Sequence, residues 1–97
     1  MSHFRSKKLL DSAAGRSCVI CGSLGTTVAA HANSVALGKG TGIKAPDFFA
    51  VHLCTVCHSL YDGRIGKLTK REKEDLWHTA FVRTVARWFN EDIVTVA

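Results

Sequence analysis

Four cysteines, arranged as two CxxC pairs, have the most specific spacing for chemistry in this sequence. Cys18 and Cys21 form the first pair, and Cys54 and Cys57 form the second. A CxxC turn presents two thiolates on one side of a short loop, and two such turns complete tetrahedral sulfur coordination of Zn²⁺. The alternatives are two redox-active motifs, a pair of disulfides, or a coincidental spacing of buried cysteines; the βαβ setting typical of a redox site is missing. The spacing therefore predicts a structural zinc ion, and any catalysis requires another site.

The five histidines of the chain are the remaining candidates for a base or a metal ligand near neutral pH. His31 ends a segment rich in β-forming residues, and His58 directly follows the last cysteine. If both cysteine pairs bind one zinc ion, the fold holds these two histidines near each other. The other three are expected to be surface or core residues, and a strand position makes His52 a stronger candidate than His3 or His78.

Basic residues exceed acidic ones, 13 against 8, and the formal net charge of +5 favours a polyanionic partner. Many of them lie between Gly63 and Lys73, where positive charge at a helix start opposes the helix dipole and so favours phosphate binding over a merely solvated surface. The glycine-rich run 38–44 lacks the spacing of a nucleotide-binding loop; it is either a flexible connector or a backbone contact to a DNA phosphate. The candidate phosphate contacts are Lys39, Lys44, Arg64, Lys67, Lys70 and Arg71.

Length and composition limit the class of protein. A chain of 97 residues with 46% hydrophobic and 22% charged residues is typical of one small globular domain. Its core is small enough to need an additional stabilising element, which the predicted zinc ion would supply. No apolar run approaches the roughly 20 residues of a membrane span, and the basic start lacks the apolar stretch of a signal peptide. We therefore expect a cytoplasmic protein without a membrane partner.

Short elements are predicted next to the candidate chemical groups. Residues 1–16 are predicted to form a basic N-terminal arm that includes a short helix over 7–14. Strands are predicted over 26–31 and 48–53, each adjacent to a cysteine pair, and a helix from Cys54 to Gly63.

A long amphipathic helix is the clearest predicted element. Thr69 and Glu72 have the spacing of a capping box, and Asn90 is the predicted end of the helix. A short terminal strand is predicted over 93–96. The apolar stripe of the helix suits packing on the core or a homodimer face; its members are Leu76, Trp77, Ala80, Phe81, Thr84, Val85, Trp88 and Phe89.

In combination, these features resemble the ββα-metal module of HNH endonucleases: a strand ending in His31, a loop, a second strand, and a helix that opens beside His58. The zinc-stapled endonuclease VII resolvases use the same paired CxxC frame. More narrowly, the segments AAH, GKGTGIKAPD and LCTVCHSLYDGR resemble small lambdoid-prophage proteins treated as HNH-like nucleases. The resemblance covers about residues 7–65. It implies an α+β fold with a zinc-stapled, HNH-like core over 17–66, while residues 67–97 pack on that core or on a partner.

The resemblance also implies a metal-dependent DNA endonuclease of phage or prophage recombination or DNA processing, acting in the cytoplasm of a bacterial host. His31 matches the general base that takes a proton from the attacking water. His58 matches a ligand of a catalytic divalent cation, Mg²⁺ or another. Asp62, one helical turn later, is either a second ligand or a carboxylate that orients His58. The cysteines match the structural zinc frame, and recognition of DNA through its backbone and shape is expected.

Two positions depart from the family pattern. Ala30 stands where many HNH enzymes carry an aspartate ligand, and the central asparagine has no match because Asn33 is too close to His31. Asp62 is favoured over Asp47 as the compensating carboxylate. The alternative function is therefore a zinc-stapled nucleic-acid-binding or adaptor protein without catalysis.

Overall fold

A two-stranded antiparallel sheet contacts each of the three α-helices found among the described residues. The structure is a computed structural model, and it describes residues 4–33, 37, 39 and 44–95. The order of elements is α1 (Lys7–Asp11), β1 (Val28–His31), a 3₁₀ turn (Asp47–Phe49), β2 (Ala50–Leu53), α2 (Thr55–Asp62) and α3 (Lys70–Asn90). The predicted α+β class with a long C-terminal helix is confirmed.

Both strands are shorter than predicted. In the sheet Val28 pairs with Leu53 and His31 pairs with Ala50, so His31 lies at the end of the ladder next to the start of β2. The segment before Ala50 is not extended, because the backbone of Phe49 donates a hydrogen bond to Pro46 and closes a 3₁₀ turn. This turn places Asp47 beside His31 instead of continuing the strand.

The N-terminal segment is docked on the sheet. Ser6 caps α1 by accepting a hydrogen bond from the Leu9 backbone, and Leu9 is buried. The helix is shorter than the predicted range 7–14, because from Ser12 the chain continues in turns up to Gly15, whose φ of 75° is in the left-handed region.

The two later helices begin and end as their cap residues predict. α2 starts after Cys54, and Gly63, with a φ of 77°, ends it. α3 has 21 residues and begins with the predicted capping box, in which Thr69 and Glu72 exchange hydrogen bonds. No helix in the described part of the chain is long and apolar enough to cross a bilayer.

The predicted terminal strand does not form among residues 93–95. After α3 the backbone amides of Ile93 and Val94 both donate to the carbonyl of Trp88, and Asp92 has a left-handed φ of 56°. These bonds satisfy a carbonyl that the helix end leaves open, so the chain turns back on α3 instead of extending. His3, Gly38, residues 40–43 and Val96, for which we also made predictions, lie outside the described residues.

His52 is a core residue that ties three elements together. It lies on β2 with none of its surface exposed, and its imidazole contacts the Ser12 hydroxyl after α1 and Arg87 of α3. Because the guanidinium can only donate, Nδ1 of His52 accepts from Arg87 and Nε2 donates to Ser12. The indole of Trp88 donates to the same hydroxyl at 2.8 Å. His52 is thus a hydrogen-bonded structural histidine.

Candidate functional site

The four cysteine thiols converge on one point. Their sulfur atoms all lie within 4.8 Å of one another. Gly22, with a φ of 77°, closes the first turn by donating its backbone amide to the Cys18 carbonyl. In the second turn Cys54 caps α2, and its sulfur accepts from the Cys57 amide at 3.4 Å. Two tight turns therefore bring two thiol pairs face to face.

The thiols of the cluster differ in how readily they lose a proton. Burial raises the pKa of Cys18, but backbone hydrogen bonds from Cys21, Cys54 and Ile20 outweigh it and lower that pKa to about 6. Burial and the neighbouring thiols raise the pKa of Cys57. Four sulfurs this close cannot all ionise without a cation between them, and a metal ion would take the place of their protons. The cluster could bind a metal such as zinc, as the spacing predicts.

No second set of three or more His, Cys, Asp or Glu side chains converges in the ranges that the structure describes.

α3 fixes the first cysteine turn in place. Arg83 donates to the Val19 carbonyl at 2.7 Å, and Arg87 donates to the Ser17 carbonyl at 2.9 Å and to its hydroxyl at 3.1 Å. The long helix thus satisfies backbone acceptors on both sides of Cys18. Neither arginine stood out in the sequence, because nothing local links them to the cysteine turn.

His31 forms a close pair with Asp47. Nε2 of His31 lies 2.9 Å from Oδ1 of Asp47, and only 16% of the histidine side chain and 2% of the aspartate side chain are exposed. Burial raises the pKa of Asp47, but the hydrogen bond from His31, the backbone amide of Ser6 and the positive charges of protonated His31 and of Arg5 outweigh it and hold that pKa below its ordinary value. The carboxylate is therefore ionised at neutral pH. Because an ionised carboxylate can only accept, His31 donates to it through Nε2.

Ala30, one residue before His31, is completely buried. Successive side chains of a strand point to opposite faces, so position 30 lies in the core while His31 lies at the partly exposed site. A side chain at position 30 therefore points away from the face that carries His31.

His58 and Asp62 form a second pair one helical turn apart on α2. Nε2 of His58 lies 3.1 Å from Oδ2 of Asp62, and both side chains are partly exposed. The other oxygen, Oδ1, accepts from the side-chain amide of Asn33 at 2.9 Å. The backbone amide of Asn33 donates to the buried hydroxyl of Tyr61 at 2.7 Å. The loop after β1 is thus bonded to the end of α2.

Asn33 and Tyr61 were missed as site residues. Asn33 was set aside for its position two residues after His31, yet it reaches the carboxylate beside His58. The one available signal was that Asn33 lies two residues past the end of β1, at a place where a polar side chain can reach out of the sheet.

The predicted basic residues fall into two groups. Lys39 lies 3.5 Å from the Asn33 side-chain oxygen, and Arg64 lies 3.9 Å from Asp62, so both flank the His58–Asp62 pair. Lys44 is exposed beside the Asp47 turn. The others, Lys67, Lys70 and Arg71, are exposed before and in the first turn of α3. A shallow groove there also contains Glu74 and Asp75, so its charge is mixed.

Comparison with known proteins identifies the family. Residues 7–93 match the protein family described as "Putative nuclease YbcO". The chain belongs to the YbcO family. The match includes β1, β2, all three helices and all four cysteines. None of the curated proteins with which the YbcO-family chain was compared matches it.

A solved structure supports the same fold. The YbcO-family chain is similar to a structure described as a "putative bacteriophage protein" from Escherichia coli str. K-12 substr. MG1655, with 26% sequence identity and a TM-score of 0.65. The similarity covers 87% of this chain and 99% of that chain.

Proposed function

We propose that this YbcO-family protein is a metal-dependent DNA endonuclease of the HNH type, with phage or prophage DNA as its setting. The observation that carries the proposal is the placement of two histidine–carboxylate pairs on one strand–strand–helix unit. His31 at the end of β1 has an ionised carboxylate on one ring nitrogen, and His58 at the start of α2 pairs with Asp62. The family description as a nuclease agrees with it.

His31 is the proposed general base. With Nε2 bonded to Asp47, its Nδ1 accepts the proton of a water molecule that attacks the scissile phosphorus. The imidazole is partly exposed, so water and a phosphate can approach it. As the water oxygen bonds to phosphorus, the bond between phosphorus and the 3′ oxygen breaks, and the 3′ oxygen leaves.

His58 and Asp62 are the proposed ligands of the catalytic cation. When bound, a divalent ion such as Mg²⁺ would stabilise the negative charge that develops on the phosphate and the leaving oxygen. Two protein ligands fit an ion that keeps several waters and also binds substrate oxygens. In the ion's absence, Asp62 accepts the hydrogen bond of His58 and fixes its ring.

The four cysteines are proposed to hold a structural zinc ion. Their all-sulfur, four-ligand arrangement is typical of closed zinc sites that take no part in chemistry. Zinc would hold β1, β2 and α2 in fixed positions relative to one another. It would thereby fix the distance between the two histidine pairs.

DNA is the proposed substrate, and basic side chains are proposed to bind its phosphates. Lys39 and Arg64 border the His58–Asp62 pair and would contact the phosphates next to the cleaved bond. Lys44, Lys67, Lys70 and Arg71 would extend that contact. A homodimer through the exposed side of α3, where Val82 and Phe89 are solvent-accessible, is compatible with this proposal.

A zinc-stapled DNA-binding or adaptor protein without catalysis is the second candidate. It is favoured by the buried alanine at position 30, where many HNH enzymes carry an aspartate ligand. Such a protein would bind DNA with strong salt dependence and leave it intact.

Nicking of supercoiled plasmid with Mg²⁺, Mn²⁺ or Ni²⁺ tests the proposal. We expect the wild type to cut and His31→Ala to lose about 10²–10⁴-fold in rate, the usual contribution of a general base, at unchanged zinc content. Asp11→Ala, which changes an exposed side chain of α1 that pairs with Lys7, is the control and should cut as the wild type does. Equal rates for His31→Ala and the wild type would exclude this base. Salt-sensitive binding without cleavage by any variant would favour the second candidate.

A further inference from the structure

We propose that Asp47 is a positioning residue for His31, which fixes the imidazole in the form protonated on Nε2 so that Nδ1 is the proton acceptor. The inference rests on the proposed function for its role in catalysis. It differs from the role of compensating metal ligand considered for Asp47 from the sequence.

Both oxygens of Asp47 are already engaged. Oδ1 lies 2.9 Å from Nε2 of His31 and 3.6 Å from the guanidinium of Arg5. Oδ2 accepts the backbone amide of Ser6 at 2.5 Å. With 2% of the side chain exposed, this carboxylate is closed to a metal ion and faces the histidine.

The charge state of Asp47 selects the tautomer of His31. The pKa of Asp47 lies below its ordinary value for the reasons given above, so the group is an acceptor only. A neutral imidazole carries one N–H, and here it must lie on Nε2, where the acceptor is. The other nitrogen, Nδ1, then has a lone pair for the proton of a water molecule.

The segment 4–6 holds Asp47 in this position. The amide of Asp47 donates to the Phe4 carbonyl at 3.0 Å, while Arg5 donates to the carbonyls of Ala45 at 2.9 Å and Lys44 at 3.0 Å. The turn that carries the carboxylate is therefore tied to the N-terminal segment at several points. A supported carboxylate of this kind orients a base without reorganising during the reaction.

Asp47→Asn is the informative substitution, because the amide has one acceptor oxygen for two donors. The backbone amide of Ser6 can only donate, so the asparagine oxygen is expected to face it. The asparagine NH₂ group then faces His31, and Nε2 must become the acceptor, which moves the ring proton to Nδ1. In this tautomer Nδ1 carries the ring proton, so it has no lone pair to accept a proton from water.

The experiment uses the full zinc-loaded chain and two readouts. The first is the ¹H–¹⁵N spectrum of the His31 ring at about pH 8, which reports the tautomer without any substrate. The second is the rate of plasmid nicking against DNA concentration. We expect an Nε2–H ring in the wild type, an Nδ1–H ring in Asp47→Asn, and a loss of about 10²–10⁴-fold in kcat with little change in KM. Asp11→Asn, an exposed carboxylate that pairs with Lys7, is the control and should change neither readout.

Several results would overturn the inference, and they differ from failure of the proposed function. An Nδ1–H ring in the wild type, which needs no variant to observe, excludes it directly. So does an Asp47→Asn variant that keeps the Nε2–H ring, or one that keeps the wild-type kcat. A wild type that does not cut DNA rejects the proposed function alone, because the ring spectra still decide whether Asp47 sets the tautomer.

Discussion

Asn33 links the end of β1 to the carboxylate that pairs with His58. It donates to Oδ1 of Asp62 at 2.9 Å, while His58 lies near Oδ2. We expect Asn33→Ala to weaken the affinity for the proposed catalytic cation about 10–100-fold, because Asp62 loses the partner that orients it. The Mg²⁺ concentration for half-maximal nicking measures this effect.

Asn90→Ala is the control for this prediction, since Asn90 is exposed at the end of α3. It should leave the Mg²⁺ dependence unchanged. An Asn33→Ala variant with the wild-type Mg²⁺ dependence would show that the contact to Asp62 has no role in binding the cation.

Residue patterns predicted the local groups of the site and missed the contacts between distant segments. The cysteine pairs have a fixed spacing of two intervening residues, and His58 and Asp62 are one helical turn apart, so sequence alone places the members of each pair together. Asn33 and Asp62 are 29 positions apart, and no local rule predicts their bond. Asp47 was considered for its chemistry, but its bond to His31 depends on a turn closed by Pro46.

Among the elements, α3 supports the first cysteine turn. The guanidinium of Arg87 donates hydrogen bonds to the Ser17 carbonyl, the Ser17 hydroxyl and Nδ1 of His52. We expect Arg87→Ala to lower the free energy of unfolding by about 1–3 kcal/mol, because it leaves the buried Nδ1 of His52 without a partner. Urea denaturation of the zinc-loaded protein measures it.

The matched control is Arg71→Ala, whose side chain is 90% exposed and lies 3.9 Å from Asp75. Such an exposed pair contributes little, so a change within about 0.5 kcal/mol is expected. Equal stability of the Arg87→Ala and Arg71→Ala variants would contradict the supporting role of α3.

The packing of β2 against α3 also makes stability depend on pH. Burial lowers the pKa of His52, and the charges of Arg87 and Arg16 lower it further, from 6.5 to about 4. Between these values the unfolded chain binds a proton that the folded chain excludes, so stability falls as pH decreases from 6.5 towards 4. We expect His52→Gln to have a flatter dependence than the wild type in urea denaturation.

His78→Gln controls for this effect, because His78 is exposed on α3 and its replacement should keep the wild-type slope. Protonation of the cysteines at low pH would release zinc and also lower the free energy of unfolding. The measurement is therefore the difference between the pH slopes of the variant and the wild type. Parallel curves for the wild type and His52→Gln would contradict a neutral, buried His52.

The elements were predictable where the signal is local. The capping box fixed the start of α3, and the buried positions of that helix, Trp77, Ala80, Thr84 and Trp88, are members of the apolar stripe. The strand over 48–53 was predicted too long, because Phe48 and Phe49 have high strand propensity but lie in a 3₁₀ turn. Tertiary contacts outweigh strand propensity in this segment, since Phe49 packs against Trp77 and Phe81 of α3.

On the scale of the whole molecule, we expect a zinc ion in the cysteine cluster to supply much of the stability that so small a core lacks. Chelation of zinc should therefore unfold much of the chain, with loss of the helical circular dichroism signal and its return when Zn²⁺ is restored. Cys21→Ser should lose zinc in the same way, and because Cys21 is exposed, the change leaves the core packing intact. A metal-free protein with the wild-type thermal midpoint would contradict a structural role for the metal.

The bonds from α3 to the first part of the chain also set an order of events during synthesis. Arg83, Arg87 and Trp88 reach back 64, 70 and 76 positions to Val19, Ser17 and Ser12. A ribosome makes the cysteine turn long before it makes these partners, so the nascent chain carries that turn without the helix that supports it. Long-range contacts of this kind form late. If the protein cuts DNA, translation itself thus delays assembly of the complete site until α3 has emerged.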